Sequence, residues 1–358
     1  MKTRLRYAAV VAASALLLTA CGEAPTESGG GEASGSSEFL GCIVSDSGGF
    51  DDKSFNEAGF RGLNKAKEDG VISDTKTAES TSDADFAPNI NQMVSQDCGL
   101  TITVGFLLAT ATADAAKANP ESKFAIIDTA LEEEAENVKS IQFDTAQAAY
   151  LAGYLAASQT KTGKVGTFGG IKLPSVTIFM DGFADGVAHF NEEKGKDVKV
   201  LGWDKAKQDG TFTGDFEDVK KGQSVSENLI SQGADVLLPV AGPVGEGAAA
   251  AALDAKDVAL IWVDSDGYET LAEKYKPLVM STVVKKIDVA VEDVLKATAE
   301  GNFSNEPYVG TLENDGVALA PYHDWDSKID DATKKEITDL QAAIIDGSVK
   351  VESQSSPK

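Results

Sequence analysis

The chain is poor in the residues that build metal and redox centres. Its 358 residues include three cysteines and only two histidines, and His189 and His323 stand far apart along the chain. A bound metal ion usually needs several such side chains at short, regular spacing. The sequence therefore predicts no metal site and no resident cofactor.

Basic side chains are also scarce. The chain has 32 lysines and arginines against 57 aspartates and glutamates, which gives a formal net charge of -25. Because nucleic acids are bound through basic patches, we expect no nucleic-acid partner. Phosphate groups likewise bind basic side chains or free helix ends. The composition therefore favours an uncharged ligand.

Two common enzyme signatures are missing. The sequence contains no Gly-x-x-x-x-Gly-Lys-Ser/Thr phosphate loop and no Gly-x-Ser-x-Gly nucleophile elbow. An enzyme would also need an activated water or nucleophile, and no metal cluster or poised base is evident in the sequence. We therefore predict a binding protein and not an enzyme.

The apolar stretch at the N-terminus is too short to span a membrane. Residues 7–20 follow three basic residues and precede Cys21, whereas a transmembrane helix needs ~20 apolar residues. A basic head, a short apolar segment and small residues at its end are typical of a secretory signal peptide. We assign the signal peptide to residues 1–21. The glycine- and serine-rich residues 22–38 predict a flexible tether.

Cys21 ends a segment, Leu-Leu-Thr-Ala-Cys, that resembles the lipobox of bacterial lipoproteins. That resemblance implies that Cys21 becomes the first mature residue and carries lipid. The alternative is an ordinary cleavage site with an unrelated cysteine. A lipid anchor followed by a tether predicts a folded body held at the extracytoplasmic face of the cell membrane.

The body of the protein contains two further cysteines, Cys42 and Cys98. Each stands at the start of an apolar run, and neighbouring strands would bring the two side chains close together. Outside the cytoplasm an even number of cysteines often forms disulfides. The pair is therefore expected either as a disulfide or as two buried free thiols.

Strand-like and helix-like patterns alternate along the body, and the alternation restarts halfway. Short, nearly continuous apolar runs are separated by longer segments with apolar residues at helical spacing. This order is typical of parallel sheets covered by helices. A body of about 320 residues also exceeds what one core usually serves. We therefore predict an α/β protein with two lobes, each a parallel sheet with helices on both faces.

Each predicted lobe is built from two stretches of chain. We assign residues 39–144 and 268–310 to the N-terminal lobe, and residues 145–267 and 311–353 to the C-terminal lobe. The chain is expected to cross between the lobes near residue 144, between 264 and 268, and between 308 and 312. Several crossings make a hinge, which predicts closure on a ligand. The polar tail after residue 353 is predicted to be disordered.

Three predicted strands end on an acid, at Asp128, Asp144 and Asp264. In open α/β sheets ligands bind beyond the carboxyl ends of the strands, and one carboxylate can accept hydrogen bonds from two hydroxyl groups. The pattern favours a ligand with several hydroxyls, with helix capping as the alternative role of these acids. Aromatic residues, which stack on flat rings, flank the same turns at Phe55, Phe60, Phe106, Phe168, Phe212 and Phe216.

The turn after the first predicted strand carries the most specific motif. Residues 46–56, Asp-Ser-Gly-Gly-Phe-Asp-Asp-Lys-Ser-Phe-Asn, closely resemble the opening motif of the basic membrane protein family. Its members are substrate-binding lipoproteins of ABC importers, similar to the purine nucleoside receptor A proteins. The resemblance continues in the same order through residues 124–128, 240–242, 263–264 and 281–290. It implies the two-lobed type I periplasmic-binding-protein fold and a nucleoside ligand.

The resemblance also assigns binding roles to individual residues. It implies that Asp51 and Asn56 hydrogen-bond the base, that Phe60 and Phe216 stack on its two faces, that Asp128 is an acid of the N-terminal lobe in the pocket, and that Gly242, Asp264 and Lys285 surround the ribose. Two features depart from the family pattern. Pro243 stands where family members often carry a glycine, and residues 208–215 look longer than usual, so Phe212 competes with Phe216 for stacking.

These features predict a monomeric, lipid-anchored, extracytoplasmic protein that binds a nucleoside, with a purine expected, and delivers it to an ABC permease in the membrane. A receptor for a simple sugar or a sugar-derived signal is the alternative within the same class. A surface enzyme such as a nucleoside hydrolase is the alternative from another class.

Overall fold

The computed structural model describes residues 39–357. The predicted signal peptide over residues 1–21, the lipidation of Cys21 and the tether over residues 22–38 lie outside the described residues. In the described range, no helix combines the length and the apolar composition needed to cross a bilayer.

Strands and helices alternate along this range. The strands are β1 (Leu40–Val44), β2 (Asp74–Ala78), β3 (Leu100–Val104), β4 (Phe124–Ile127), β5 (Val138–Phe143), β6 (Lys164–Gly169), β7 (Lys199–Leu201), β8 (Trp203–Asp204), β9 (Asp209–Gly210), β10 (Val236–Val240), β11 (Ala259–Asp264), β12 (Val279–Lys285), β13 (Tyr308–Gly310) and β14 (Val317–Leu319). The α-helices are α1 (Phe55–Glu68), α2 (Asp83–Ser95), α3 (Ala109–Ala118), α4 (Thr145–Gln159), α5 (Pro174–Lys194), α6 (Val219–Ser231), α7 (Gly245–Ala255), α8 (Gly267–Thr270), α9 (Ile287–Ala299) and α10 (Asp331–Ile345).

The strands of residues 39–357 form two six-stranded sheets and a small hairpin. The first sheet is parallel throughout, in the order β13-β5-β4-β3-β1-β2. The second has the order β14-β12-β11-β10-β6-β7, with β14 antiparallel at one edge. Every residue of β3 and of β12 is buried, as expected for parallel strands covered on both faces. The predicted α/β class with two parallel sheets is confirmed.

The chain passes between the lobes next to these sheets. It leaves the first sheet after β5, and α4 then packs against α5 of the second lobe. It returns after Lys285, where α9 packs against α1, and crosses again between β13 and β14. The predicted crossing between residues 264 and 268 is wrong, and so is the placement of all of residues 268–310 in the N-terminal lobe. The reason is that β12 completes the second sheet by pairing with β11.

The first sheet also has an edge strand that the sequence pattern does not indicate. β2 reads Asp-Thr-Lys-Thr-Ala, is largely solvent-accessible, and pairs with β1 along its whole length. An edge strand needs a partner on one side only and can carry polar residues. Hydrophobic periodicity therefore misses it.

The C-terminal tail is held against the protein, contrary to the predicted disorder. Ser353 Oγ donates a hydrogen bond to Asp181 Oδ2 at 2.6 Å, and Ser356 Oγ donates one to Asp144 Oδ1 at 3.0 Å. The tail therefore joins α5 to the point where the chain first crosses between the lobes.

Cys42 on β1 and Cys98, which precedes β3, form a disulfide. β1 and β3 are neighbours in the first sheet, so the strand pairing itself brings the two side chains together. Of the two states expected from the sequence, the structure therefore contains the bonded one. The bond links positions 56 residues apart in the chain.

Candidate ligand-binding site

A cavity lies between the two sheets, at the carboxyl ends of strands from both lobes. It encloses about 560 Å³ including its opening to solvent. Acidic, amide and aromatic side chains share its walls with a single lysine. The lining includes Asp46, Asp52, Phe55, Asn56, Phe106, Asp128, Phe179, Phe216, Gly242, Asp264 and Lys285.

The turn between β1 and α1 fixes one wall. The Asp52 carboxylate accepts hydrogen bonds from the backbone N–H groups of Ser54 at 3.0 Å, Asn56 at 2.7 Å and Glu57 at 3.0 Å. These are N–H groups that the first turn of a helix otherwise leaves unpaired. Asp52 therefore caps α1 and sets the position of Asn56.

The side-chain amide of Asn56 is held on both sides. Its Nδ2 donates to Asp46 Oδ1 at 2.8 Å and to Asp52 Oδ2 at 3.1 Å, and its Oδ1 accepts from the backbone N–H of Asp46 at 3.2 Å. Asn56 is only 1% exposed. The network presents a rigid polar wall of one amide and two carboxyl groups.

Asp46 is neutral in this wall at pH 7. Burial raises the pKa of Asp46 to about 8 despite the opposing hydrogen bond from Asn56, and the nearby carboxylates of Asp52, Asp128 and Asp264 contribute to the rise. A protonated carboxyl group can donate as well as accept a hydrogen bond. Burial also raises the pKa of Asp52.

Lys285 joins the two lobes inside the cavity. Its ammonium group, at the end of β12, bonds the carboxylate of Asp128 at the end of β4 and lies 2.9 Å from Asp264 Oδ1. The rings of Phe55 and Phe179 face the ammonium at 4.8 and 5.1 Å. Burial lowers the pKa of Lys285, but the two carboxylates more than offset that effect and the net shift is upward. Lys285 therefore stays charged.

Asp264 retains a free hydrogen-bond acceptor. Its Oδ2 accepts a hydrogen bond from Ser54 Oγ at 2.8 Å, which spans the two lobes. Its Oδ1 is buried, and its one polar neighbour named above is the Lys285 ammonium at 2.9 Å, which pairs with it by charge and not through a hydrogen bond of regular geometry. This oxygen is available to a ligand hydroxyl.

Backbone geometry aims two of the strand-end acids into the cavity. Asp128 has φ of 62° and Asp264 has φ of 66°, a left-handed conformation that aspartate tolerates better than most residues. Such conformations occur often at functional sites. Asp144, the third predicted acid, lies outside the cavity and accepts hydrogen bonds from Gln147 and Ser356 instead.

Two of the eight predicted ligand-binding residues lie outside the cavity. Asp51 is exposed and pairs with Lys53, and the ring of Phe60 stacks on Phe50 with centroids 4.9 Å apart. Contrary to the prediction, neither side chain lines the cavity. A 3-10 turn at Gly49–Asp51 turns Asp52 inward in place of Asp51, and α1 directs Phe55 toward the cavity in place of Phe60.

The structure brings the other six together. They are Asn56, Asp128, Phe216, Gly242, Asp264 and Lys285. Phe212, the competitor of Phe216, packs edge-on against Trp203 at 6.1 Å and away from the cavity. The sequence reasoning missed Asp46 and Phe179 as lining residues. Asp46 belongs to the recognised motif, whereas Phe179 lies within a helix and only its periodicity could have indicated an inward face.

The chain resembles proteins of one family along nearly its whole length. Residues 40–355 match the family model described as ABC transporter substrate-binding protein PnrA-like. The chain is 32% identical over 371 residues to the ABC transporter nucleoside-binding protein BmpA of Lactococcus lactis, covering 99% of this chain and 100% of that one. It is also 32% identical over 361 residues to a CD4+ T-cell-stimulating antigen of Listeria innocua, covering 96% of both.

Solved structures agree with the architecture. A crystal structure of an ABC transporter solute-binding protein from Aeropyrum pernix matches with a TM-score of 0.77 and 25% identity, covering 87% of this chain and 92% of that one. A solute-binding protein from Conexibacter woesei matches with a TM-score of 0.67 at 22% identity, over 89% and 100% of the two chains. The predicted two-lobed type I periplasmic-binding-protein fold is confirmed.

Proposed function

The chain belongs to the family of PnrA-like substrate-binding proteins of ABC transporters, and from that premise we propose that it captures an uncharged nucleoside, with a purine preferred, and delivers it unchanged to a membrane permease. One copy of the chain contains the whole cavity, and we propose that it acts as a monomer. The proposal rests mainly on one observation: aromatic walls, a polar wall and a carboxylate oxygen without a hydrogen-bond donor among the described residues meet in a single cavity between the lobes.

In this proposal the aromatic walls hold the base. Phe55 comes from the first lobe and Phe216 from the second, and both line the cavity. Stacking on an aromatic face contributes about 0.5–1.5 kcal/mol beyond the buried area. Asn56 and the protonated Asp46 would read the base edge, because together they offer both donors and acceptors. Asp46 thus takes the role that the sequence assigned to Asp51.

The ribose would lie near Asp264. The buried Oδ1 of Asp264 accepts no hydrogen bond from the described residues, and vicinal ribose hydroxyls are suitable donors. Lys285 would hold the carboxylate in place and donate to a ligand oxygen. The nucleoside-binding name of the Lactococcus lactis relative supports a ligand that carries both a base and a sugar.

The charge of the cavity favours neutral ligands. Asp46, Asp52, Asp128 and Asp264 face the ammonium group of Lys285, so acidic side chains outnumber basic ones among the described residues that line the cavity. Two like charges 4 Å apart repel by about 4 kcal/mol at an effective dielectric constant of 20. A nucleotide phosphate is therefore expected to be excluded.

We also propose that lipid on Cys21 anchors the protein to the extracytoplasmic face of the membrane. The lipobox-like Leu-Leu-Thr-Ala-Cys supports this, and several relatives are named as lipoproteins. Metabolic labelling with a clickable fatty acid tests it. The wild-type chain should be labelled and should sediment with membranes, and Cys21→Ala should lose both properties.

Calorimetric titration tests the ligand class. The purified chain should bind adenosine, guanosine or inosine with one site per chain, and the matching monophosphate about 100-fold or more weaker because of the repulsion above. Binding of simple sugars without any nucleoside binding would refute the proposal in favour of a sugar receptor. Release of free base during incubation would refute the absence of chemistry.

A further inference from the structure

A second chamber adjoins the ligand cavity on the side where α4 and α5 begin. It encloses about 580 Å³ including its opening, and it shares Phe106, Asp128 and Ser175 with the ligand cavity. Thr145, at the start of α4, and Ser355 of the C-terminal tail contribute to its remaining wall. The two spaces meet at Asp128, next to the group that holds the ribose in the proposed function.

Thr145 contributes a buried hydroxyl group to the wall of the chamber. It is 1% exposed, and its Oγ1 makes no hydrogen bond with any of the described residues. A buried hydroxyl group without a partner is destabilising, and native structures rarely retain one. A molecule in the chamber would supply the missing partner.

The chamber walls restrict the chemistry of that partner. Among the described residues that line the chamber, none is basic, and Asp128 is already paired with Lys285, so a buried phosphate or carboxylate would have no basic side chain of the chamber to pair with. An apolar group would leave the Thr145 hydroxyl unpaired. Hydroxyl and amide groups satisfy both conditions.

We infer that the second chamber receives an uncharged, hydroxyl- or amide-bearing extension on the ribose of the ligand. The inference rests on the proposed function, since it requires a nucleoside with its ribose near Asp264 and Lys285. It extends the ligand class from bare nucleosides to nucleosides with a neutral polar substituent on the sugar.

Titration calorimetry on the intact chain tests the inference with three kinds of probe. They are a purine nucleoside, the same nucleoside with a carboxamide-bearing substituent placed on each ribose hydroxyl in turn, and the same set with an alkyl group of equal size. Thr145→Val removes the hydroxyl at nearly constant shape. Thr298→Val is the matched control, because Thr298 is a buried helical threonine on α9 whose hydroxyl donates to the Val294 carbonyl at 2.6 Å.

We expect at least one carboxamide nucleoside to bind as tightly as the bare nucleoside, and its alkyl analogue about tenfold or more weaker. Thr145→Val should weaken only the carboxamide ligand, by about fivefold or more, and Thr298→Val should change neither affinity. The inference is overturned if the bare nucleoside binds and every extended one binds poorly, which would leave only water in the chamber. It is also overturned if Thr145→Val affects both ligands equally or neither. Absence of binding by the bare nucleoside would instead refute the proposed function.

Discussion

Replacing Lys285 by methionine tests the electrostatic account of the site. The Lys285 side chain is 3% exposed and lies between Asp128 at 7% and Asp264 at 9%. Removing one partner of a buried ion pair leaves an uncompensated charge and costs about 3–5 kcal/mol. We expect Lys285→Met to lower the free energy of unfolding by about that amount at pH 7. Denaturant unfolding followed by tryptophan fluorescence measures the change.

The pH dependence of this loss provides a second test. Burial raises the pKa of Asp128, and Lys285 opposes that rise, so removing Lys285 should raise the pKa further. A carboxyl group with a higher pKa in the folded state binds its proton more tightly there. The contribution of Asp128 to stability therefore falls as the pH increases from the pKa of its carboxyl group in the unfolded protein to the higher pKa in the folded protein. The destabilisation by Lys285→Met should be largest at pH 7 and smaller near pH 5.

Two further variants make the test specific. Asp128→Asn in the Lys285→Met background should recover part of the lost stability at pH 7, because it removes one of the carboxylates left without a partner. Lys65→Met should have a much smaller effect, since Lys65 pairs with Asp69 at the surface. The reasoning is refuted if Lys285→Met costs no more than Lys65→Met, or if its cost grows toward pH 5.

Three further predictions concern ligand binding and the disulfide. Because the pKa of Asp46 is raised to about 8, the affinity of the wild-type protein for a nucleoside should fall above pH 8 as the carboxyl group ionises, whereas the affinity of Asp46→Asn should not. Calorimetry from pH 6 to 9 compares the two proteins, and a wild-type affinity that does not change with pH would contradict the protonated state of Asp46. Asp264→Ala should weaken nucleoside binding by about 2 kcal/mol or more, since the ribose hydroxyls lose a buried acceptor. Asp51→Ala, at an exposed position, should leave the affinity unchanged, and equal losses in calorimetry would contradict the role assigned to Asp264. Replacing Cys42 and Cys98 by serine should lower the free energy of unfolding by about 2–4 kcal/mol without changing affinity, and an unchanged unfolding midpoint would disprove that contribution.

The strand-end residues could be predicted from the sequence because their local pattern is clear. An uninterrupted apolar run marks a buried parallel strand, and the first polar residue after it marks the carboxyl end. Asp128 and Asp264 follow or end such runs, and ligands bind beyond those ends in open α/β sheets. Their burial in one cavity therefore follows from pattern and topology alone.

The turn before α1 could not be resolved in the same way. Asp51 and Asp52 are adjacent acids in a glycine-containing turn, and no periodicity tells which one points inward. The choice depends on the 3-10 turn at Gly49–Asp51 and on three backbone N–H groups that only Asp52 satisfies. The choice is thus made by three-dimensional contacts that cap α1, and a shift of one position along the chain would exchange the roles of Asp51 and Asp52.

The lobe assignment failed for a related reason. β12 has an apolar pattern that would suit either sheet, and its true neighbour β11 is set by pairing between separate segments. A local pattern identifies a strand but not its partner. The boundary at Lys285 becomes clear only when α9 is seen to pack against α1.

Closure and ligand choice depend on the same groups in this cavity. The bond from Ser54 to Asp264 and the ion pair of Lys285 with Asp128 both join the lobes, and both use residues that line the cavity. Asp46 and Asp52 are buried at the same cavity, where acidic side chains of the described residues outnumber the basic one. That burial is unfavourable unless a proton or a ligand donor compensates it. A neutral ligand rich in hydrogen-bond donors supplies this compensation without adding charge. We therefore expect the selectivity for uncharged ligands and the stability of the closed form to arise from the same excess of acidic side chains.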